Sequence, residues 1–159
     1  PKYRGATPIQ SVLLAGEKET GTTLLIMDEK VDHGATISHA KLLISHDDTY
    51  ETLSKKLAEL SANVLIDLLP KYMSGEIIPR PQDHARATYT KKFVTEDGLI
   101  SLEKDSPEKI WRKVRALNPE PGVYTIQNDK RMKILEADFQ DGKLILKKIQ
   151  FEGEKPKIL

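Results

Sequence analysis

Asp32 lies in Val31-Asp32-His33-Gly34, shortly after the run Thr22 to Met27 and the charged triplet Asp28-Glu29-Lys30. The run is β-branched and apolar on both parities, the pattern of a strand buried on both faces inside a mixed or parallel sheet. A carboxylate on the loop beyond such a strand is placed to do chemistry, because open α/β sheets bind ligands outside their strand ends. Turn formation alone also accounts for Asp32 and Gly34, since both residue types favour turns. His33, next along the turn, is expected to point away from Asp32. His39, His46 and His84 share no spacing suited to a metal, so no metal site is expected.

The elements that would position this loop follow from patterning. Tyr3 to Thr7 reads as a loop with Gly5 for backbone freedom. A helix then runs from Pro8 to Gly16, with Thr7 as N-cap and Ile9, Val12 and Leu13 inward. Strands are expected over 22–27 and 35–44. Asp48-Thr49-Tyr50-Glu51 reads as a capping box opened by Asp48. It starts a helix of about five turns along Leu53, Leu57, Leu60, Val64 and Leu68, which Pro70 ends or kinks. Residues 77–90 read as a connector, and 91–105 as a hairpin or extended linker. Ser106-Pro107 opens another helix with Ile110, Trp111 and Val114 inward, stopped by Asn118-Pro119-Glu120-Pro121-Gly122. Strands at 123–127, 132–139 and 143–151 follow, the last with a slip in its alternation near Lys147, and suggest a small antiparallel barrel.

The 159 residues suffice for one domain or two small ones. The 25 basic and 24 acidic side chains nearly balance, but residues 1–84 net −3 and residues 85–159 net +4. A basic second half suits a phosphate-bearing partner or a solvated charged face equally well. No cysteine is present, which removes disulfides and thiolate zinc sites. No apolar run approaches the roughly 20 residues of a bilayer span, so no membrane partner is expected and the chain reads as cytoplasmic.

Several motifs together resemble the folate-dependent formyltransferase family, and within it the methionyl-tRNA branch. They are Pro1-Lys2-Tyr3-Arg4-Gly5-Ala6-Thr7-Pro8-Ile9-Gln10, Gly16 to Thr23, Val31-Asp32-His33-Gly34, Gln82-Asp83 with Ala87-Thr88-Tyr89, and Arg115 to Gly122. The resemblance covers nearly the whole chain. It implies an α/β fold, the remainder of a Rossmann-like formyltransferase domain followed by a small OB-like β-barrel domain. The implied boundaries are 1–76 for the catalytic part, 77–105 for a linker and 106–159 for the barrel. Because Pro1 opens directly on a motif, the chain is expected to be the C-terminal portion of a longer, monomeric enzyme.

The same resemblance implies that 10-formyltetrahydrofolate is the formyl donor and initiator methionyl-tRNA the acceptor. Asp32 matches the family's aspartate, which holds a catalytic histidine and an ordered water. The family's asparagine and histidine fall before the Pro1 loop, so the chain alone is expected to be inactive. Pro1, Met27, Val31 and Asp32 match the folate-contacting segments, although Met27 and Val31 also fit ordinary core. Lys91, Lys92, Arg112, Lys113 and Arg115 would face tRNA phosphates, with a solvated helix face as the plainer reading. Glu120 stands where the family usually has tryptophan, and the barrel is short, so recognition by the second domain is expected to be altered. A sugar-amine formyltransferase, a formyl-folate hydrolase and a non-catalytic tRNA- or folate-binding remnant are the alternatives.

Overall fold

Proline at a first helical turn and glycine just beyond the last one delimit the first helix, α1 (Pro8–Ala15), with Gly16 at φ +70°. It belongs to a computed structural model that describes residues 2–159; Pro1, expected at the folate site, lies outside the described residues. The Thr7 carbonyl accepts from Ser11 N, but its hydroxyl donates to the Lys91 carbonyl at 2.6 Å and does not cap the helix. The chain forms two compact units. The first comprises the residues up to Val12 with Glu17–Lys91, and the second Leu13–Gly16 with Lys92–Leu159.

In the first unit β1 (Glu19–Leu25) and β2 (Thr36–Leu43) form an antiparallel two-stranded sheet, with Glu19 opposite Leu43 and Thr22 opposite Ala40. The expected doubly buried strand is therefore corrected. The strand starts three residues earlier, alternates between exposed and half-buried positions, and ends before Met27. Its apolar composition reflects a hairpin with α2 (Tyr50–Met73) packed against one face, where Thr22 and Ser61 hydroxyls meet at 2.7 Å.

Thr49, not Asp48, is the N-cap of α2, and Thr52 completes the capping box. Asp48 is buried and collects Ser45 N, the Thr52 hydroxyl and Lys56 Nζ. Burial pushes its carboxyl upward, but those three donors hold it below the usual aspartate value. The helix continues through Pro70 to Met73. Only Leu53 and Leu57 of its leucine stripe are fully buried.

Residues 77–91 fold back onto this unit. Thr36 and Arg80 exchange both backbone bonds, and Arg4 bridges Thr88 and Thr90 in the parallel sense. The stretch expected as a linker over 77–105 is thus shared between the units, the rest entering the second as a 3-10 turn at Thr95–Gly98.

The second unit packs α3 (Pro107–Leu117) on a four-stranded antiparallel sheet. Its strands, in spatial order, are β3 (Tyr124–Gln127), β4 (Lys130–Gln140), β5 (Lys143–Phe151) and β6 (Lys157–Ile158). Ile110, Trp111, Val114 and Leu117 from α3 share the core with Met132, Ile134 and Ile149. Leu135 and Lys147 are skipped in the β4–β5 register, so the slip near Lys147 is a bulge on both strands.

The expected closed barrel is not formed among the described residues. The sheet has four strands in open order, and its outer ones, β3 of four residues and β6 of two, do not pair with each other as closure requires. The outer edge of β3 takes only a single bridge from Leu99.

Ile134 is fully buried whereas Ile145 on β5 is 41% exposed. Truncating each to alanine should therefore separate core from surface. Ile134→Ala is expected to lower unfolding free energy by about 2–5 kcal/mol and Ile145→Ala by well under about 1 kcal/mol, read from urea denaturation. Equal losses would place the core elsewhere.

Candidate functional site

The loop from Ile26 to Ala35 leaves the hairpin through a narrow neck, closed by Ile26 N donating to the Ala35 carbonyl at 2.9 Å. Gly34 is buried in that neck, and a Cβ there would stand 1.7 Å from the Ile26 carbonyl oxygen, so only glycine fits. Asp32 adopts φ +51°, a left-handed conformation that aspartate tolerates better than most residues. Its Oδ2 accepts from Gly5 N at 2.9 Å. The residue is solvent-exposed, yet the carboxylate is anchored at the rim of a cavity of about 330 Å³ lined by Arg4, Ile9, Thr22, Asp32, Leu57 and Gln82.

Two side chains that sequence reasoning had noted only as parts of motifs converge on the same loop. Gln82 Nε2 donates to the Asp32 carbonyl at 3.0 Å and to the Gly34 carbonyl at 2.7 Å. Gln82 Oε1 accepts from Arg4 Nη2 at 2.6 Å, and Arg4 is 3% exposed. Arg4 Nη2 also lies 3.3 Å from His84 Nδ1. Because arginine has no acceptor, that contact requires an unprotonated Nδ1 on His84.

The His84 ring stacks on His33 at 3.8 Å with the planes 2° apart, and His33 Nδ1 meets Asp28 Oδ2 at 2.6 Å. Asp28 is held below the usual aspartate value, first by His33 and then by the Lys30 amide. His84 is lowered too, by desolvation first and then by the charges of His33 and Arg4. As expected, His33 is directed to other partners than Asp32.

Beside this network Tyr3 donates its hydroxyl to Glu17 at 2.7 Å. Burial, then the Glu17 hydrogen bond and charge, pushes the phenol up to about 12. Glu17 is correspondingly lowered, by Tyr3 first and Lys2 next.

Met27 and Val31 project from the loop at 89% and 63% exposure, which overturns the core reading of both. The basic group expected to face phosphates is corrected in part. Arg115 is buried with its guanidinium 4.2 Å from the Trp111 ring centre, and Lys113 Nζ donates to the Asp97 and Leu99 carbonyls. Arg112 pairs with Glu108 on the same helix. The spacing of Arg112, Lys113 and Arg115 could not show that α3 directs two of its cations to internal partners, one onto an aromatic face and one onto carbonyls of the preceding turn. Lys91 and Lys92 are exposed.

A formyl transferase family model matches residues 1–69, and a formyl transferase C-terminal domain model matches residues 92–153. Methionyl-tRNA formyltransferase of Kosmotoga olearia is 45% identical over 141 residues, 89% of this chain and 45% of that protein. The enzyme of the same name from Carboxydothermus hydrogenoformans is 42% identical over 156 residues, 98% of this chain and 47% of that protein. The chain thus spans slightly under half the length of these curated relatives.

In fold it is similar to methionyl-tRNA formyltransferase from Clostridium thermocellum, with a TM-score of 0.71 and 21% identity over 96% of this chain and 64% of that one. It is also similar to HypX from Aquifex aeolicus in complex with tetrahydrofolic acid, with a TM-score of 0.77 and 18% identity over 100% of this chain and 32% of that one.

Desolvation of His84, with the charges of His33 and Arg4 behind it, sets a pH dependence. A histidine whose folded pKa is depressed stabilises the fold fully above its unfolded value of about 6.5, and that contribution is lost as pH falls through the folded value. The melting temperature of the wild-type chain should therefore fall more between pH 7.5 and 5.5 than that of His84→Asn, which keeps an acceptor for Arg4 but cannot titrate there. Parallel curves for the two proteins would refute the lowered His84 value.

Proposed function

This chain belongs to the formyl transferase family, and from that premise we propose that it carries the aspartate-bearing part of a site for formylating methionyl-tRNA. The donor is 10-formyltetrahydrofolate and the acceptor the α-amine of methionine on initiator tRNA. The observation that supports this most directly is the Asp32 carboxylate held on Gly5 N at the rim of a cavity, in a chain 42–45% identical to enzymes of that name.

The reaction joins the amine nitrogen to the formyl carbon, passes through a tetrahedral oxyanion, and breaks the bond to folate N10 while a proton moves from the amine to that nitrogen. Asp32 contributes to the proton movement by holding an acid/base partner in its charged form. The 159 residues contain no Asn-x-His sequence, so the oxyanion donor and the histidine of the family must be supplied from outside them. Met27 and Val31 are exposed apolar side chains on the Asp32 loop, suited to cover a flat heteroaromatic ring. Lys91 and Lys92 remain candidates for phosphate contact on the tRNA.

Among the described residues no helix is long and apolar enough to cross a membrane. The methionyl-tRNA formyltransferase reading itself implies a monomeric enzyme of the cytoplasm. No metal enters this scheme. A sugar-amine acceptor is the second reading. An N-formyltransferase from Helicobacter canadensis, solved in complex with folinic acid and dTDP-3-aminofucose, is similar to this chain at 19% identity, a likeness of fold alone.

A chimera tests the choice. With residues 1–159 replacing the matching segment of the Kosmotoga olearia enzyme, formylmethionyl-tRNA should form, and Asp32→Asn should lower kcat/KM by at least about 100-fold. A folded chimera that formylates a nucleotide-linked amino sugar in preference to methionyl-tRNA would overturn the assignment.

A further inference from the structure

We propose that Arg4 and Gln82 are positioning residues for Asp32, a buried guanidinium–amide relay that sets where its carboxylate points. The role in catalysis rests on the transferase reading above, whereas the mechanical claim rests on geometry alone. Arg4 is fixed first. Its backbone is bonded on both sides, to the Thr88 carbonyl and the Thr90 amide, and its side chain is almost wholly out of water. Its Nε and Nη1 are buried without a hydrogen-bond partner, which leaves Nη2 as the nitrogen through which the charge is answered.

That nitrogen meets Gln82 Oε1, and the contact determines which way the Gln82 amide faces. A guanidinium can only donate, so Oε1 must turn toward Arg4 and Nε2 toward the loop; the flipped amide would oppose donor to donor. Nε2 then draws together two carbonyls placed two residues apart, Asp32 O and Gly34 O. Those carbonyls flank the turn in which Asp32 holds φ +51°.

The Asp32 side chain, swung round by that turn, lands on Gly5 N, the amide next in sequence to Arg4. The relay is therefore closed: residues 4 and 5 grip the loop twice, through the Gln82 amide on its backbone and directly on its carboxylate. Gly5 itself sits at φ +116° with Thr90 Oγ1 only 2.9 Å from where a Cβ would be, so the grip point has little room to move.

The test is made on the 159-residue chain by NMR. In the wild type the Gly5 amide, hydrogen-bonded to Asp32 Oδ2, should exchange slowly with solvent deuterium, and Asp32→Ala should abolish that protection. Gln82→Glu keeps an acceptor for Arg4 but removes both donors to the loop. It is expected to lose the Gly5 protection as completely as Asp32→Ala while amides of the four-stranded sheet keep their positions.

If Gln82→Glu loses spectral dispersion, Gln82→Met, of similar length and without charge, is read in its place. A folded Gln82 variant whose Gly5 amide stays protected overturns the proposal, as does a wild-type Gly5 amide that exchanges freely. Neither measurement involves folate or tRNA, so a failed chimera assay and a failed relay cannot be mistaken for one another.

Discussion

A guanidinium withdrawn from water must be answered by acceptors, and Arg4 finds its acceptors on a segment roughly eighty residues further along, at Gln82 and His84. The first unit depends on that requirement. It explains why the stretch after α2 returns to lie along residues 4 and 36 rather than passing freely onward. It also explains how an exposed carboxylate can hold a defined direction. The loop around Asp32 has little apolar material of its own to bury, so its order is inherited from a charge buried next door.

Much of the local architecture was legible in the residues. Pro8 and Gly16 bracket α1, Ser106 and Pro107 open α3, and the broken alternation at Lys147 is a real bulge. These are short-range effects, in which the deciding partner lies a few positions away. The errors share the opposite cause. An apolar run on both parities marks covering on both sides only if something covers both sides, and β1 has α2 on one face and an alternating exposure pattern. Asp48 and Thr49 both suit an N-cap, and the choice fell to Thr49 because Lys56, about two turns beyond, claims the Asp48 carboxylate. Asp32 could be singled out from its loop, but its holders could not, since nothing near Gln82 in sequence indicates a partner at residue 4.

Charge counting leaves placement open in a related way. The basic excess of the second half is real, and many of its cations are held by neighbours within the second unit. Lys109 meets Asp105, Lys147 meets the buried Asp138, and Lys148 meets Glu136. Arg115 lies over Trp111, and Arg131 stands 4.1 Å from the Tyr124 ring centre. These one-to-one pairs leave the net excess as it is but fix where the cations sit, so their placement rather than their number shapes the field that a polyanion would meet.

The Ile26–Ala35 neck has a consequence for how such a protein can diversify. With Gly34 wedged against the Ile26 carbonyl and Gln82 grasping the strand just inside, the loop behaves like a purse whose drawstring is fixed while its fabric is not. Residues 29–31 hang on the open side, where changes of size or chemistry leave the closure untouched. Descendants of one scaffold could thus exchange the lip that greets an incoming molecule, generation after generation, without disturbing the acidic group stationed behind it.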